Sequence, residues 1–253
     1  MHRFYLPPEH CRGSTFFLSG NEAHHALHVL RLRKGEKVSV LDGAGRDCLC
    51  VVENFDRDKV QLALERTRLV EPAPARITLL QAIPKGKIIE SVIQKATELG
   101  VARIVPLLTE RVTTRLDERE GIRKASKWQL IAIEAIKQCG NAWLPQVEPP
   151  VSPASFLARN EQFDLPLVAS LQSDTLHPRK YFDAFRAKHQ HDPRSISIWI
   201  GPEGDFTLDE VKMIRDAGTF PITLGPLVLR TETAAIYCLS VLNYELSALN
   251  AQP

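Results

Sequence analysis

What the 253-residue sequence lacks narrows its class before any motif is considered. No uninterrupted apolar run approaches the roughly 20 residues that a membrane-spanning helix needs. The N-terminal stretch MHRFYLPPEH also lacks the apolar core of a signal peptide. These absences predict a cytoplasmic protein with no membrane partner. With 44% hydrophobic and 25% charged residues, the chain has a globular composition, and its length suits one large domain or two unequal domains.

Cysteine is scarce and its spacing is uninformative. The chain has five cysteines, an odd number with no CxxC pair: Cys11, Cys48, Cys50, Cys139 and Cys238. This pattern predicts neither a disulfide framework nor a zinc ribbon, so we expect reduced and mostly buried thiols. His24, His25 and His28 lie close together but lack the wider ligand set of a zinc site. We therefore expect no metal.

Two nucleotide-binding fingerprints are missing as well. No GxGxxG segment follows a predicted strand, and no GK[ST] completes a phosphate-binding loop. A dinucleotide-dependent oxidoreductase is therefore a weak alternative, which NADH binding would support.

The net charge of +2 does not predict a nucleic-acid partner, but the charges are unevenly distributed. Residues 76–150 carry 12 Lys and Arg against 8 Asp and Glu, whereas residues 151–253 carry 9 against 12. A basic middle beside an acidic end indicates a surface for a polyanion. Solvated helix faces would give the same counts, so both interpretations stay open on charge alone.

The chain changes its pattern near residue 72. Before that point, strand-like runs at 37–42, 47–55 and 59–65 are separated by turns at hairpin spacing, and they predict a small barrel or sheet. The segment EPAPA at 71–75 is typical of a linker. From residue 76 onward strands and helices alternate, which predicts a parallel sheet covered on both faces.

Periodicity places the later elements approximately. Apolar runs predict strands at 77–83, 103–108, 165–170, 195–200 and 221–224. Helical spacing predicts helices at 87–99, 121–138 and 233–249, and a capping box formed by Thr207 and Glu210 opens another that ends near Ala217.

Two Gly-Pro loops follow predicted strands, at Gly201-Pro202 and Gly225-Pro226. In open α/β sheets, ligands bind beyond the carboxyl ends of the strands. Two such loops near each other would line a pocket with backbone N–H and C=O groups, which suits adenine or amino-acid moieties better than phosphates.

The second loop ends abruptly in Arg-Thr-Glu-Thr. Thr231 is a candidate N-cap, and Glu232 suits the first turn of the helix that follows. Helix capping does not explain why an arginine stands at position 230. The Arg230 guanidinium could bind a phosphate or a carboxylate. The structural alternative is a salt bridge from Arg230 to Glu203 or Glu232.

Several segments together resemble one known family. They are HVLRLRKGEKV at 28–38, IQKATELGV at 93–101, QCGN at 138–141, GPEG at 201–204 and LGPLVLRTETAA at 224–235. In this order they resemble the RsmE family, bacterial 16S ribosomal RNA uridine-N3 methyltransferases of the knotted SPOUT superfamily. GPEG alone is a weak signal, whereas GPEG followed by this second motif is specific. The resemblance covers nearly the whole chain.

The resemblance implies a fold and a reaction. It implies an N-terminal PUA-like β-barrel at 1–72 that binds RNA, and a C-terminal SPOUT α/β domain at 73–253. That domain would hold a parallel sheet and a deep trefoil knot within about 195–240. The implied reaction methylates N3 of a uridine in 16S rRNA of the 30S subunit, with S-adenosylmethionine as donor. The implied assembly is a homodimer without metal.

The resemblance and the loop positions select candidate site residues. We expect Arg230 to stabilise negative charge on uracil, and Glu232 to serve as base if the helix start does not need it. The candidate cofactor-binding residues are Leu171, Gly201, Glu203, Gly204, Leu224, Gly225 and Leu229. The candidate RNA-binding residues are Arg31, Arg33, Lys34, Lys85, Lys87, Arg111 and Arg115, each of which is otherwise a solvated surface charge.

One residue departs from the family pattern. The family usually has a second glycine after GPEG, where this chain has Asp205. Asp accepts a left-handed backbone better than most residues, which favours a tolerated change at a turn. The alternative is altered cofactor affinity, and in the extreme an inactive RNA-binding or ribosome-assembly protein of the same fold.

Overall fold

The computed structural model describes residues 1–112, 116–172 and 174–247, and the chain divides into two compact units. The first unit comprises Met1–Pro72 and Ile133–Leu144, and the second comprises Ala73–Ala132 and the chain from Pro145 onward. Within the first unit, the indole Nε1 of Trp143 donates a 3.0 Å hydrogen bond to the Val70 carbonyl. This bond ties the 133–144 segment to the end of the N-terminal sheet.

The first unit is built on a five-stranded sheet. Its strands are β1 (His2–Tyr5), β2 (Thr15–Leu18), β3 (Lys37–Leu41), β4 (Arg46–Phe55) and β5 (Val60–Leu69), in the order β1-β3-β4-β5-β2. Only β1 and β3 pair in parallel. Within residues 1–72, all described, β1 and β2 remain edges, so the predicted barrel is a half-barrel.

The core of the first unit follows from strand alternation. In β4, Cys48, Cys50 and Val52 are buried at every second position, and they pack with Phe4 and Phe16. Between β2 and β3 the chain forms the short helix α1 (Gly20–His24) and a π-helical turn (His25–Val29), where the sequence predicted helical character.

The second unit contains a six-stranded sheet in which every pair is parallel. The strands are β6 (Arg76–Ala82), β7 (Arg103–Leu107), β8 (Gln146–Val147), β9 (Leu165–Ala169), β10 (Ser195–Ile200) and β11 (Phe220–Ile222), in the order β11-β9-β10-β6-β7-β8. The predicted parallel α/β domain is confirmed. The trefoil knot stays a prediction.

Within the described residues, six helices follow the strands of this sheet along the chain. They are α2 (Ile88–Glu98), α3 (Glu118–Cys139), α4 (Pro153–Leu157), α5 (Pro178–His189), α6 (Leu208–Asp216) and α7 (Thr231–Ser247). Trp199 and Leu80 pack with α4 and α6 in one apolar cluster, whereas α7 packs against β10, α2 and α5. The central strands are therefore buried on both faces, which explains their continuous apolar runs.

Some elements differ from the periodicity-based expectation. Helix α5 was not predicted, because its signals are local: the His177 ring accepts a hydrogen bond from the Arg179 N–H, and the helix ends at Gln190 with a φ of 62°.

Strand β11 ends at Ile222 instead of 224. The reason is that the Thr223 hydroxyl accepts from the Gly225 N–H and turns the chain.

The thiols behave as expected from the sequence. All five cysteines are free, and only Cys139 is exposed. Burial raises the pKa of Cys11 and of Cys50 to about 12, so both stay protonated and unreactive near neutral pH.

In the described residues, no group of three or more His, Cys, Asp and Glu side chains could hold a metal ion. Among the described helices, none has the length and apolarity to cross a membrane.

The predicted capping box at α6 is confirmed. The Thr207 hydroxyl accepts from the Glu210 N–H at 3.3 Å, and the Glu210 carboxylate accepts from the Thr207 N–H at 2.9 Å. The second carboxylate oxygen of Glu210 accepts from the Glu110 N–H at 2.9 Å. This buried carboxylate therefore fixes both the start of α6 and the loop after β7.

Replacing Thr207 by alanine removes the capping hydroxyl, and we expect the free energy of unfolding to fall by about 1 kcal/mol. Urea unfolding of both proteins measures the difference. Thr207→Ser keeps the acceptor oxygen and should unfold close to the wild type. An alanine variant with the wild-type midpoint would contradict the capping account.

Candidate active site

A cavity of about 330 Å³ lies where β9, β10 and β11 end. Three loops of the second unit line it, together with strand ends and the start of α7; the loops contribute residues 170–172, Thr175, residues 201–203, Asp205 and residues 223–229. The carboxyl ends of parallel strands meet at one edge of a sheet, so these loops are brought together although they are distant in sequence. The two Gly-Pro loops predicted to wall a pocket do so.

The first wall, residues 201–205, is a tight turn that requires glycine at its start. A Cβ atom on Gly201 would lie 2.8 Å from the Asp205 Oδ1 and 3.2 Å from the Asp205 Cα. The Asp205 N–H closes the turn by donating to the Pro202 carbonyl at 2.9 Å. A side chain at 201 would therefore open this wall.

The backbone conformation of Asp205 explains why the family usually has glycine at this position. Its φ is 61°, in the left-handed region that glycine adopts freely and Asp tolerates. Its Oδ1 accepts a 2.8 Å hydrogen bond from the Phe206 N–H, so the carboxylate stabilises the turn locally. Asp205 also lines the cavity, which adds one carboxylate to the wall.

The second wall, residues 223–229, is largely aliphatic and open to solvent. Gly225 has a φ of 105°, which glycine adopts most readily, and its N–H donates to the Thr223 hydroxyl at 3.2 Å. Leu227 and Val228 line the cavity while keeping 73% and 76% of their surface exposed. The cavity thus combines apolar side chains with backbone polar groups.

A buried hydrogen-bond chain joins the two walls. The Thr231 hydroxyl donates to the Gly201 carbonyl at 2.6 Å and accepts from the Gln81 side-chain amide at 2.9 Å. Gln81 also donates to the Ala82 carbonyl at 2.9 Å, and both side chains are buried. The end of β6, the start of the first wall and the first residue of α7, which follows the second wall by two positions, are therefore held together. We call this chain the Gln81–Thr231–Gly201 link.

The position of Thr231 in α7 differs from the sequence-based prediction. The sequence suggested Thr231 as N-cap, but it is the first helical residue of α7, and the Arg230 carbonyl accepts from the Ala234 N–H. The reason is that the Thr231 hydroxyl is engaged with Gly201. Glu232 does lie in the first turn, where the helix dipole favours a negative charge.

Two hydrogen bonds with neighbouring loops also hold the first wall. The Glu203 carboxylate accepts a 3.0 Å hydrogen bond from the Lys85 N–H, in the loop between β6 and α2. The Arg111 guanidinium donates to the Gly204 carbonyl. The first wall is thus fixed by the two neighbouring loops at the same edge of the sheet.

The candidate cofactor residues can now be located. Six of them line the cavity: Leu171, Gly201, Glu203, Leu224, Gly225 and Leu229. Gly204 does not line it, although its carbonyl is held by Arg111. The sequence analysis missed Gln81 and the Thr231 hydroxyl. A glutamine inside the apolar run ITLLQAI was the one signal that could have drawn attention to Gln81.

The candidate catalytic residues Arg230 and Glu232 are not among the residues that line the cavity, although each is adjacent in sequence to Thr231, which does line it. Arg230 is exposed and stands between Leu229 and Thr231, both of which line the cavity. In the described part of the chain, Arg230 forms no salt bridge, so the pairing with Glu203 or Glu232 considered from the sequence is not observed. Its guanidinium is therefore not committed to either carboxylate.

The candidate RNA-binding residues fall on both units. Arg31, Arg33 and Lys34 are exposed in one turn of the first unit, and Lys85 and Lys87 are exposed in the second. Arg111 is exposed and also donates to Gly204. Arg115 lies outside the described residues.

Known proteins resemble this chain over almost its full length. A family model described as an RNA methyltransferase domain matches residues 71–243, and one described as an RNA methyltransferase PUA domain matches residues 18–65. Ribosomal RNA small subunit methyltransferase E of Bacillus subtilis is 32% identical, over 93% of this chain and 92% of its own length.

Solved structures agree with the sequence relatives. A methyltransferase from Legionella pneumophila, solved with its bound cofactor SAM, has 35% identity and a TM-score of 0.85 over 95% of this chain and 96% of its own. Ribosomal RNA small subunit methyltransferase E from Neisseria gonorrhoeae, bound to S-adenosyl methionine, has 28% identity and a TM-score of 0.83. That match covers 96% of this chain and 97% of the other.

The fold, the two-walled cavity and the matched domains define an RNA methyltransferase with an N-terminal PUA domain. Within that class, the chain belongs to the family of ribosomal RNA small subunit methyltransferase E, the RsmE family that its motifs resemble.

Replacing Thr231 by valine tests the link between the walls. The change removes both hydrogen bonds at nearly constant shape, at a cost of about 1–3 kcal/mol in unfolding free energy. Hydrogen–deuterium exchange should be faster in residues 201–207 than in the wild type. Thr231→Ser keeps the hydroxyl and should exchange like the wild type. Unchanged exchange in the valine variant would show that the link does not hold the first wall.

Proposed function

We propose that this protein transfers a methyl group from S-adenosylmethionine to N3 of a uridine in 16S rRNA of the small ribosomal subunit. The cavity between residues 201–205 and 223–229 carries the proposal, since it lies at the strand ends where α/β enzymes bind ligands. Two relatives that match nearly the whole chain are described as bound to this cofactor.

The cavity residues fit such a cofactor. Its volume of about 330 Å³ is within the range of small-molecule pockets, and its lining offers aliphatic surface for an adenosine and backbone groups for polar atoms. We assign binding to Leu171, Gly201, Glu203, Gly204, Leu224, Gly225 and Leu229. Asp205 adds a carboxylate that favours a cationic ligand. When bound, the cofactor supplies an electrophilic methyl group.

The chain's own task in the reaction is to stabilise the uridine. Removal of the weakly acidic N3 proton places negative charge on the uracil oxygens. In this proposal Arg230 offers its guanidinium to that charge, and its position in the chain between two residues that line the cavity supports the assignment. Glu232 is the candidate proton acceptor, in competition with its favourable position in the first turn of α7.

Substrate binding extends beyond the cavity in this proposal. The domain at 1–72 and the methyltransferase domain at 73–253 both contact RNA. Phosphates are bound by the exposed candidates Arg31, Arg33, Lys34, Lys85, Lys87 and Arg111, and by Arg115. The knot of the family fold within about 195–240 belongs to the same proposal.

A homodimer accounts for the surface of α7. On the exposed side of this helix, Tyr237 and Tyr244 remain 43% and 69% exposed two turns apart. Large aromatic side chains are often buried in interfaces, so a second copy of the chain is the proposed cover. Leu227 and Val228, exposed beside the start of α7, would be covered with it.

Product mapping tests the reaction. We expect small subunits from a strain that lacks the modification to accept one labelled methyl group, recovered as N3-methyluridine after digestion. Label recovered in cytidine or at a ribose 2′-oxygen would overturn the assignment. A folded protein that binds the RNA but transfers no methyl group would favour the inactive assembly protein, for which Asp205 is the motivating residue.

Replacing Arg230 by alanine should lower kcat by about 100-fold or more, the usual cost of removing a charge-stabilising donor. Because Arg230 is exposed and forms no salt bridge in the described chain, we expect the unfolding midpoint to stay near that of the wild type. Arg194→Ala, at another exposed arginine of the second unit, is the matched control and should retain turnover. Near-normal kcat in Arg230→Ala would remove Arg230 from the mechanism.

A further inference from the structure

Helix α3 carries a solvent-facing ridge that the cavity does not use. The buried side of the helix contains Gly121, Ala125, Trp128 and Ala132. Between residues 119 and 130 the exposed side, which we call the α3 ridge, consists of Arg119, Ile122, Arg123, Ser126, Lys127 and Leu130. The exposed Glu118 and Glu134 lie just beyond its two ends.

The cations of the α3 ridge form one stripe. Arg119, Arg123 and Lys127 are spaced four residues apart, so each lies about 6 Å along the axis from the next, on nearly the same face. The ridge contains no acidic residue. Its charge of three is therefore presented as a line and not as scattered surface charges.

These charges are largely uncommitted within the described chain. Arg119 and Lys127 form no salt bridge there, and the single contact of Arg123, with Glu120, is at 4.0 Å with the arginine 69% exposed. The nearby Glu120 carboxylate accepts instead from the Asp117 N–H, at 3.4 Å. Surface pairs of this geometry contribute little to stability, which makes a purely structural role for the stripe weak.

Apolar side chains accompany the stripe. Ile122 and Leu130 leave 51% and 55% of their surface exposed, within the same ridge as the cations. In a contact with a nucleic-acid strand, the cations would bind phosphates, while the two aliphatic side chains would add apolar contact area beside them.

The ridge is close in sequence to residues that hold the first wall. The Glu110 N–H donates to the Glu210 carboxylate, and the Arg111 guanidinium donates to the Gly204 carbonyl of the first wall. Helix α3 begins at Glu118, seven residues after Arg111.

We propose that the α3 ridge binds the phosphate backbone of the RNA substrate through Arg119, Arg123 and Lys127. The inference rests on the proposed function, because it assigns an additional contact surface for the same RNA. It adds three residues to the phosphate-binding candidates selected from sequence motifs.

A triple variant, R119Q/R123Q/K127Q, tests this proposal against a matched control, K180Q/K188Q/R194Q. The control removes three exposed cations of the same unit that form no salt bridges within the described residues. Binding of a 16S rRNA fragment is measured by filter retention at several salt concentrations. Each phosphate contact on a single strand contributes about 0.7 to the slope of log affinity against log salt, so the ridge variant should lose about 2 from that slope. The control should keep the wild-type slope.

Two further measurements distinguish a failure of the ridge proposal from a failure of the proposed function. Calorimetric binding of S-adenosylmethionine should be the same in wild type and ridge variant, and methyl transfer should show a raised KM for RNA with kcat retained. If the wild type transfers no methyl group, the proposed function fails. If the wild type is active and the ridge variant keeps its salt slope and KM, the ridge proposal alone is overturned. Weakened binding to intact subunits with unchanged binding to naked rRNA would assign the ridge to a protein partner and overturn it as well.

Discussion

The cavity depends on the hydroxyl group of Thr231. By donating to Gly201 and accepting from Gln81, it joins the loop after β10, the loop after β11 and the end of β6 at one buried point. Among the hydrogen bonds of the described residues, this link joins the first wall to the start of the helix that follows the second wall. The engagement of Thr231 also sets the start of α7, and it leaves Arg230 as the exposed residue between the cavity wall and the helix.

The first wall shows how one turn can accept a residue that its family seldom uses. Gly201 is required because Asp205 lies against the space that a Cβ would fill. Asp205 itself holds the left-handed conformation, and its carboxylate accepts the Phe206 N–H. The change from glycine is therefore compatible with the turn. Its effect on cofactor affinity remains a separate hypothesis, since the same residue lines the cavity.

Sequence patterns predicted the parts of the molecule that are set by local periodicity. Strand β10 and the capping box at Thr207 and Glu210 appear as predicted, because buried strands and helix caps have strong local signals. The Gln81–Thr231–Gly201 link could not be predicted, since it joins residues up to 150 positions apart. Helix α5 was missed because the signals that begin and end it are local, at His177 and Gln190. The α3 ridge could be recognised only once the buried side of that helix was known.

The central claim is that the two joined loops form the binding site for S-adenosylmethionine. Calorimetric titration of the cofactor into wild-type protein and into Gly201→Ala tests it most directly, with circular dichroism to confirm that both are folded. The account predicts saturable binding at one site per chain in the wild type, and strongly weakened binding when a Cβ at 201 displaces Asp205. A folded wild-type protein that releases no heat of binding, or an alanine variant that binds equally well, would contradict it.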